Sequence, residues 1–278
     1  MTRATIAALA VYPVKGCRGL DLSRAQVTPT GLSSEGIRDR EWMVVDPGGR
    51  FVTQRESPEL AQVRTMARAG RLEILVPGHP PVAPVAGAQV RDVEVWGSSV
   101  RGHDAGDPCA HALSKHLGRD VRVVRFDDRL PRPCNPDYVG TSGATTLFSD
   151  GYPVLVIGRA SLDDLNARLS ALGLPAMPMN RFRPNLVIEG LEAYDEDHLD
   201  TIVAGAVTLK LVKPCTRCEV TTTDQDTARR NLEPLRTLAT YRRDDRLAGV
   251  TFGMNAIVAA GAGADLGVGD PADVTFRF

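Results

Sequence analysis

The chain has 278 residues, of which 43% are apolar and 24% charged, and its formal net charge is −1. That length suggests two domains and a core large enough to need no disulfide framework. The near-neutral balance gives no reason to expect nucleic-acid binding, which demands a basic face. No apolar run of 18 residues is present to span a membrane.

The N-terminus comes first. Arg3 followed by apolar residues 4–11, with Ala8-Leu9-Ala10, has the outline of a signal peptide, but its apolar stretch is too short. It reads instead as a first strand running into Tyr12-Pro13-Val14-Lys15. Residues 42–45 and 51–54 read as strands flanking the bend Asp46-Pro47-Gly48-Gly49-Arg50, and residues 72–76 and 93–96 continue the period-two pattern. A helix is expected from Asp107 as N-cap, through Pro108, to a stop at Gly118. Residues 121–126 form another strand. A loop over residues 127–146 is the expected junction, dividing the chain into domains 1–126 and 127–278.

The second half restarts with a buried strand at 152–157. A helix follows, with Ser161 and Asp164 in capping-box spacing and Leu162, Leu165, Leu169 and Leu172 on one face. Residues 186–188, 207–212 and 219–223 read as strands, 233–241 as a helix, and 257–258 and 268–278 as strand, turn and strand. The fold class expected is mainly β (α+β), with two β-barrel-like domains and a few inserted helices. Gly261-Ala262-Gly263-Ala264-Asp265-Leu266-Gly267 is not a dinucleotide fingerprint, because its third glycine is one position late and no helix follows; it reads as a hairpin.

The strongest local signal is Cys215-Thr216-Arg217-Cys218. A zinc site needs a second cysteine pair, which is missing. A thioredoxin-like pair should open a helix, whereas Glu219-Val220-Thr221-Thr222-Thr223 is strand-like. A soft thiolate ligand for another metal and two inert cysteines remain. Lys213 and Arg217 favour a thiolate nearby. With Cys17, Cys109 and Cys134 the cysteines are odd in number and dispersed, which fits a reducing compartment such as the cytoplasm.

Arg181-Phe182-Arg183-Pro184-Asn185 offers bidentate donors around a rigid proline ahead of a strand, suited to a phosphate or a pterin ring, or else it is a solvated turn. Lys15-Gly16-Cys17-Arg18-Gly19 and Arg38-Asp39-Arg40-Glu41-Trp42 are similar basic groups, the latter readable as a surface ion pair. None of the five histidines sits in a metal-spaced pair.

Together these segments resemble two-domain proteins in which an N-terminal MOSC β-barrel domain precedes a MOSC domain, of the amidoxime-reducing kind and its bacterial counterparts that detoxify N-hydroxylated bases. The resemblance rests on Tyr12-Pro13-Val14-Lys15, Gly36-Ile37-Arg38-Asp39-Arg40-Glu41-Trp42 and Phe51-Val52-Thr53-Gln54-Arg55. In the second half it rests on Phe148-Ser149-Asp150, Phe182-Arg183-Pro184-Asn185, Cys215-Thr216-Arg217-Cys218 and Val268-Gly269-Asp270-Pro271. It implies a molybdenum cofactor (Mo-molybdopterin) whose protein ligand is Cys218. Thr216 and Arg217 match cofactor-contacting neighbours, Arg183 and Asn185 match pterin-binding residues, Lys15 and Arg40 match residues that reach the pterin and phosphate, and Gly16 is counted with the cofactor-binding positions through its backbone. In two places the chain departs from the mitochondrial proteins: Gly16 replaces a serine, and Gly151-Tyr152 replaces two hydroxyl residues.

The resemblance further implies reduction of N-hydroxylated substrates such as amidoximes, hydroxylamines and N-hydroxylated bases. No iron–sulfur cysteine run, membrane anchor or flavin fingerprint occurs in the sequence, so electrons are expected from a separate flavin or ferredoxin-type reductase. Two other classes stand beside this: a non-catalytic carrier of the cofactor or its sulfur, and a thiol–disulfide protein using Cys215 and Cys218.

Overall fold

The computed structural model describes residues 2–277. Its centre is a closed barrel of seven strands. In order around the barrel these are Val154–Gly158, Leu186–Glu189, Thr2–Val11, Pro271–Phe276, Leu199–Ala204, Val207–Arg217 and Gly249–Ala260, which pairs back onto Val154–Gly158. All neighbours are antiparallel except Val154–Gly158 beside Leu186–Glu189. That parallel pair needs a crossover, which the helix Arg159–Ala171 supplies. The first strand of the chain thus completes a barrel otherwise built from residues 154–276. Its Ala4, Ile6, Leu9 and Val11 join Val154, Val156, Leu186 and Ile188 in one apolar core.

A second layer is a five-stranded sheet ordered Val90–Val95, Ser98–Asp104, Arg122–Phe126, Trp42–Val45 and Val14–Lys15. One side buries Val14, Trp42, Val44, Val123 and the Cys109–Leu113 face of the helix Asp107–Leu117. Met43, Val45, Val124 and Phe126 join a third cluster with Leu147 and Phe148. The Phe126 and Phe148 rings meet edge to face at 5.1 Å, so residues 147–150 are pinned against this sheet. That pinning brings Asp150 next to Lys15.

The mainly β reading holds. Several local expectations do not. Residues 219–222 are a 3-10 turn, not a strand, because Thr221 and Thr222 satisfy the carbonyls of Cys218 and Glu219 with their hydroxyls. Ser161 is no N-cap, since the helix begins at Arg159 after Gly158 and the Ser161 hydroxyl donates 2.7 Å to buried Glu196; Leu172 lies at the C-cap and is exposed. Gly106, one residue early, is the N-cap of Asp107–Leu117. Residues 51–54 make a single bridge, Val45 to Phe51, and then a turn. The 127–146 loop contains a short hairpin, Arg132–Pro133 with Thr145–Thr146, and the turn of helix Pro136–Val139. The 233–241 helix shortens to Leu235–Ala239. The strand Asp265–Gly267 leaves the barrel to pair with Arg24–Thr28, so the glycine-rich segment is a turn between sheets, not a hairpin. The last strand ends at Phe276, and Phe278 lies outside the described residues.

Candidate active site

One cleft opens where the seven-stranded barrel meets the five-stranded sheet. All eight residues that the resemblance assigns to the cofactor line it: Lys15, Gly16, Arg40, Arg183, Asn185, Thr216, Arg217 and Cys218, whereas Arg18, Arg38, Arg181 and Lys213 do not. Asp150, Tyr152, Trp96, Arg55, Thr221 and Asn255 line it too. None of the five histidines does.

The floor is organised by Asp39, which is buried and not part of a surface ion pair. One carboxylate oxygen accepts from the Tyr12 amide at 2.8 Å and from Asn185 Nδ2 at 2.9 Å; the other accepts from Arg40 Nη1 at 2.6 Å. Asn185 Oδ1 in turn accepts from Arg40 Nη1 at 3.1 Å and the Leu155 amide at 3.1 Å, while Nδ2 also reaches the Ala10 carbonyl at 3.2 Å. The Asn185 side chain is therefore saturated by protein, and it acts on the cleft by holding Arg40. Arg38 turns the other way, to Glu41 and Asp128.

Arg40 and Arg183 each place a guanidinium 4.3 Å from the centroid of the Tyr12 ring. Both have left-handed backbones, with φ of 48° and 57°, a conformation that costs a residue with a side chain about 1 kcal/mol or more and tends to mark functional sites. Arg183 is 8% exposed, and among the described residues no carboxylate pairs with it. Its Nη1 is buried with no hydrogen-bond partner. Burial, reinforced by the Arg40 charge, pushes its guanidinium down to about 10. At neutral pH it is thus a buried, charged and uncompensated cation.

Lys15 ends its strand in parallel register with Met43, and its ammonium bonds Asp150 Oδ1. Burial pulls the Lys15 ammonium down, opposed by Asp150. Burial would raise the Asp150 carboxyl, but the charge of Lys15 and the Lys15 and Trp96 donors hold it well below the carboxylate range. The Asp150 side chain nonetheless keeps 75% of its area open to solvent. Trp96 Nε1 donates to the same oxygen at 2.8 Å. Arg132 fixes this corner by donating to the carbonyls of Leu147, Ser149 and Asp150. Gly16 has φ of +85°, which a serine could adopt only with strain, and its carbonyl accepts from Gln54 Nε2 at 2.6 Å.

Thr216 and Arg217 end the strand Val207–Arg217, in register with Thr251 and Val250. Arg217 donates through Nη2 to the Phe182 carbonyl at 2.5 Å and through Nη1 to Cys215 Sγ at 2.9 Å, leaving Nε buried and unpartnered. Cys218 follows as the N-cap of the turn Glu219–Thr222, half-buried and free. The other three cysteines are buried, and burial pushes Cys17 up to about 12 and Cys109 and Cys134 up to about 11, so they are inert thiols. Among the described residues no group of three or more His, Cys, Asp or Glu gathers around a possible ion. A metal held at Cys218 must therefore bring its other ligands with it.

Sequence reasoning missed Asp150, Trp96, Arg55 and Asp39 as cleft builders. Trp96 had a signal: a tryptophan before glycine at a hairpin tip, with φ of 50°, where Asn-Gly is preferred. The others had none, because their roles depend on partners distant in sequence or on burial.

Comparison with known proteins places the chain. Residues 3–120 match the MOSC N-terminal beta barrel domain and residues 143–273 the MOSC domain. Mitochondrial amidoxime-reducing component 1 of Homo sapiens is 35% identical over 254 residues, covering 87% of this chain and 73% of that protein. The Mus musculus component 1 is 36% identical over 254 residues, covering 87% and 72%. The Homo sapiens component 2 is 32% identical over 253 residues, covering 87% and 73%. Among the described residues no helix is long and apolar enough to cross a membrane. The chain belongs to the MOSC-domain family that includes the amidoxime-reducing components.

Proposed function

We propose that this protein is a cytoplasmic reductase of N-hydroxylated compounds that holds Mo-molybdopterin in the cleft and receives electrons from a separate flavin or ferredoxin-type reductase. The observation that carries the reading is the buried, unpaired Arg183, with an orphaned Nη1, in the same cleft as the free thiol of Cys218. Phosphate and pterin need charge-assisted donors, and the metal needs a soft ligand. When bound, the cofactor supplies a metal that cycles by two electrons and accepts oxygen, which is the chemistry needed to convert N–OH to the amine and water.

In this reading Arg183, Lys15 and Arg40 bind the anionic and ring atoms of the cofactor, with Asp39 and Asn185 fixing Arg40. Cys218 is the metal ligand. Arg217, tied to the Phe182 carbonyl, orients the segment that carries Cys218, and Thr216 and the Gly16 backbone shape the pocket. Asp150 bonds the Lys15 ammonium and opposes the downward pull of burial on it.

The thiol–disulfide reading keeps one observation in its favour, the Arg217 hydrogen bond to Cys215 Sγ. The test begins with elemental analysis of protein from a molybdenum-replete host, expected to give about one molybdenum per chain; a dithiol protein contains none. Turnover of benzamidoxime with reduced viologen then separates an enzyme from a cofactor carrier. Cys218→Ser should abolish that turnover, because a hard hydroxyl replaces a soft thiolate, whereas Cys215→Ser should keep most of it. Equal loss in both variants would return the pair to dithiol chemistry.

A further inference from the structure

The cleft contains one more cation, Arg55, that the cofactor reading leaves without work. Arg55 comes from the turn after the Val45–Phe51 bridge, and its Nε is buried with no hydrogen-bond partner. The nearby carboxylates are engaged elsewhere: Glu56 by Arg50 and Arg119, Asp150 by Lys15 and Trp96. The guanidinium of Arg55 lies 4.5 Å from the centroid of the Trp96 ring, a stacked cation–π arrangement.

Trp96 is itself placed at a cost. It and Gly97 form the two-residue turn between Val90–Val95 and Ser98–Asp104, with φ of 50° and 76°. A bulky residue in that left-handed position is disfavoured, and Trp96 leaves 45% of its surface exposed. Folding of the hairpin gives no reason for it. The indole is nonetheless fixed, by its bond to Asp150 and by edge contact with Phe51 at 5.0 Å. The chain therefore keeps a rigid aromatic platform at the outer part of the cleft, with one face carrying a guanidinium that has no counter-ion among the described residues.

We propose that Arg55, braced on Trp96, is the specificity-determining residue of the cleft and receives a carboxylate carried by a flat N-hydroxylated substrate. A planar guanidinium stacked on indole offers its edge for a bidentate pair, and the partly open indole offers apolar contact to an aromatic ring. Arg183, deeper and nearly closed to solvent, serves the cofactor; Arg55, partly open, serves what enters and leaves. This inference rests on the reductase reading above.

The test compares benzamidoxime with 4-carboxybenzamidoxime on the cofactor-loaded protein, using reduced viologen. Wild type should favour the carboxylated probe. Arg55→Gln should collapse that preference about tenfold or more, chiefly through KM, and Arg55→Lys should fall between them because it keeps charge but not the fork. A binding measurement runs beside it: 4-carboxybenzamidoxime should quench the fluorescence of Trp96 in wild type and not in Arg55→Gln, Trp42 being buried. An unchanged preference in Arg55→Gln, with quenching intact, overturns the assignment. Loss of molybdenum in Arg55→Gln overturns it differently, by giving Arg55 to the cofactor. Failure of loaded wild type to reduce either probe sinks the reductase reading instead, and the quenching titration still decides whether Arg55 binds the carboxylate.

Discussion

Arg40 and Arg183 approach the same tyrosine ring at the same distance, yet the two sides of the cleft floor they belong to are opposites. On the Arg40 side every strong polar group is answered: Asp39 accepts three hydrogen bonds and Asn185 makes four, all to protein. On the Arg183 side Nη1 of Arg183 and Nε of Arg217 are buried and unanswered, and Cys218 is free. Buried donors without partners cost about 1–3 kcal/mol each, more when charged, and two charged ones in a single cleft beside a free thiol favour a partner outside the fold. One guanidinium is thus held in the cleft by a saturated scaffold of Asp39 and Asn185, the other is left open to a ligand, and satisfaction of hydrogen bonds tells them apart.

The sharpest way to break this comparison is at Asp39. Asp39→Ala leaves the Arg40 charge, the Tyr12 amide and Asn185 Nδ2 without their acceptor in a closed site. Removing one partner of such a buried pair costs about 3–5 kcal/mol. Out of a total near 5–15 kcal/mol that is a large fraction, so the urea midpoint of the cofactor-free protein should drop steeply. A drop below about 1 kcal/mol would mean that the Arg40 side is no scaffold.

Much of this layout was legible in the sequence, and the unread part has a common cause. Alternation and β-branching located the strands around 154–158, 186–189 and 207–217, and the C-x-x-C and R-F-R-P-N segments fell in the cleft because each sits at the end or start of such a strand. The turn at 219–222 was misread because threonines favour strands by composition while their hydroxyls here close a local turn. The surface-ion-pair alternative for Arg38-Asp39-Arg40 fails because Asp39 is buried by contacts with Tyr12 and Asn185, the latter 146 positions away. The first strand's membership in the barrel of the second half is likewise a matter of long-range pairing, which local periodicity does not encode.

A scaffold carboxylate outside the cleft calibrates the effect of pH. Asp104 ends the strand Ser98–Asp104 and holds Arg91 and Arg122. Burial would raise its carboxyl, but donors from Arg122, the Gly106 amide and Arg91 outweigh that and bring it to about 2. A carboxyl depressed in the folded state stabilises above its unfolded value, near 4, and loses that contribution as pH falls towards about 2. Wild type should therefore lose on the order of 2 kcal/mol through Asp104 in that window. Asp104→Asn should start less stable at pH 7 and show a flatter acid limb by urea unfolding. An acid limb as steep as wild type would place the titration elsewhere.

The smallest expected effect is the most specific to the Arg183 side. A guanidinium lowered to about 10 in the fold is penalised while it stays protonated, so its charge costs stability at every pH below that value, and the cost disappears only as pH rises through about 10. At neutral pH the same relief has to come from an anion. Inorganic phosphate at millimolar concentration should therefore raise the melting temperature of the cofactor-free protein by about 2 °C, the shift expected from roughly 1 kcal/mol of ligand linkage. Arg183→Ala should abolish that increment while leaving the phosphate-free melting temperature level or slightly higher, since it removes an uncompensated charge. The same variant should retain the cofactor about 30-fold less tightly, if about 2 kcal/mol of charge-assisted bonding is lost, which molybdenum content after gel filtration reads directly. Destabilisation of Arg183→Ala without phosphate, with retention unchanged, would move Arg183 to the scaffold side and erase the contrast with Arg40.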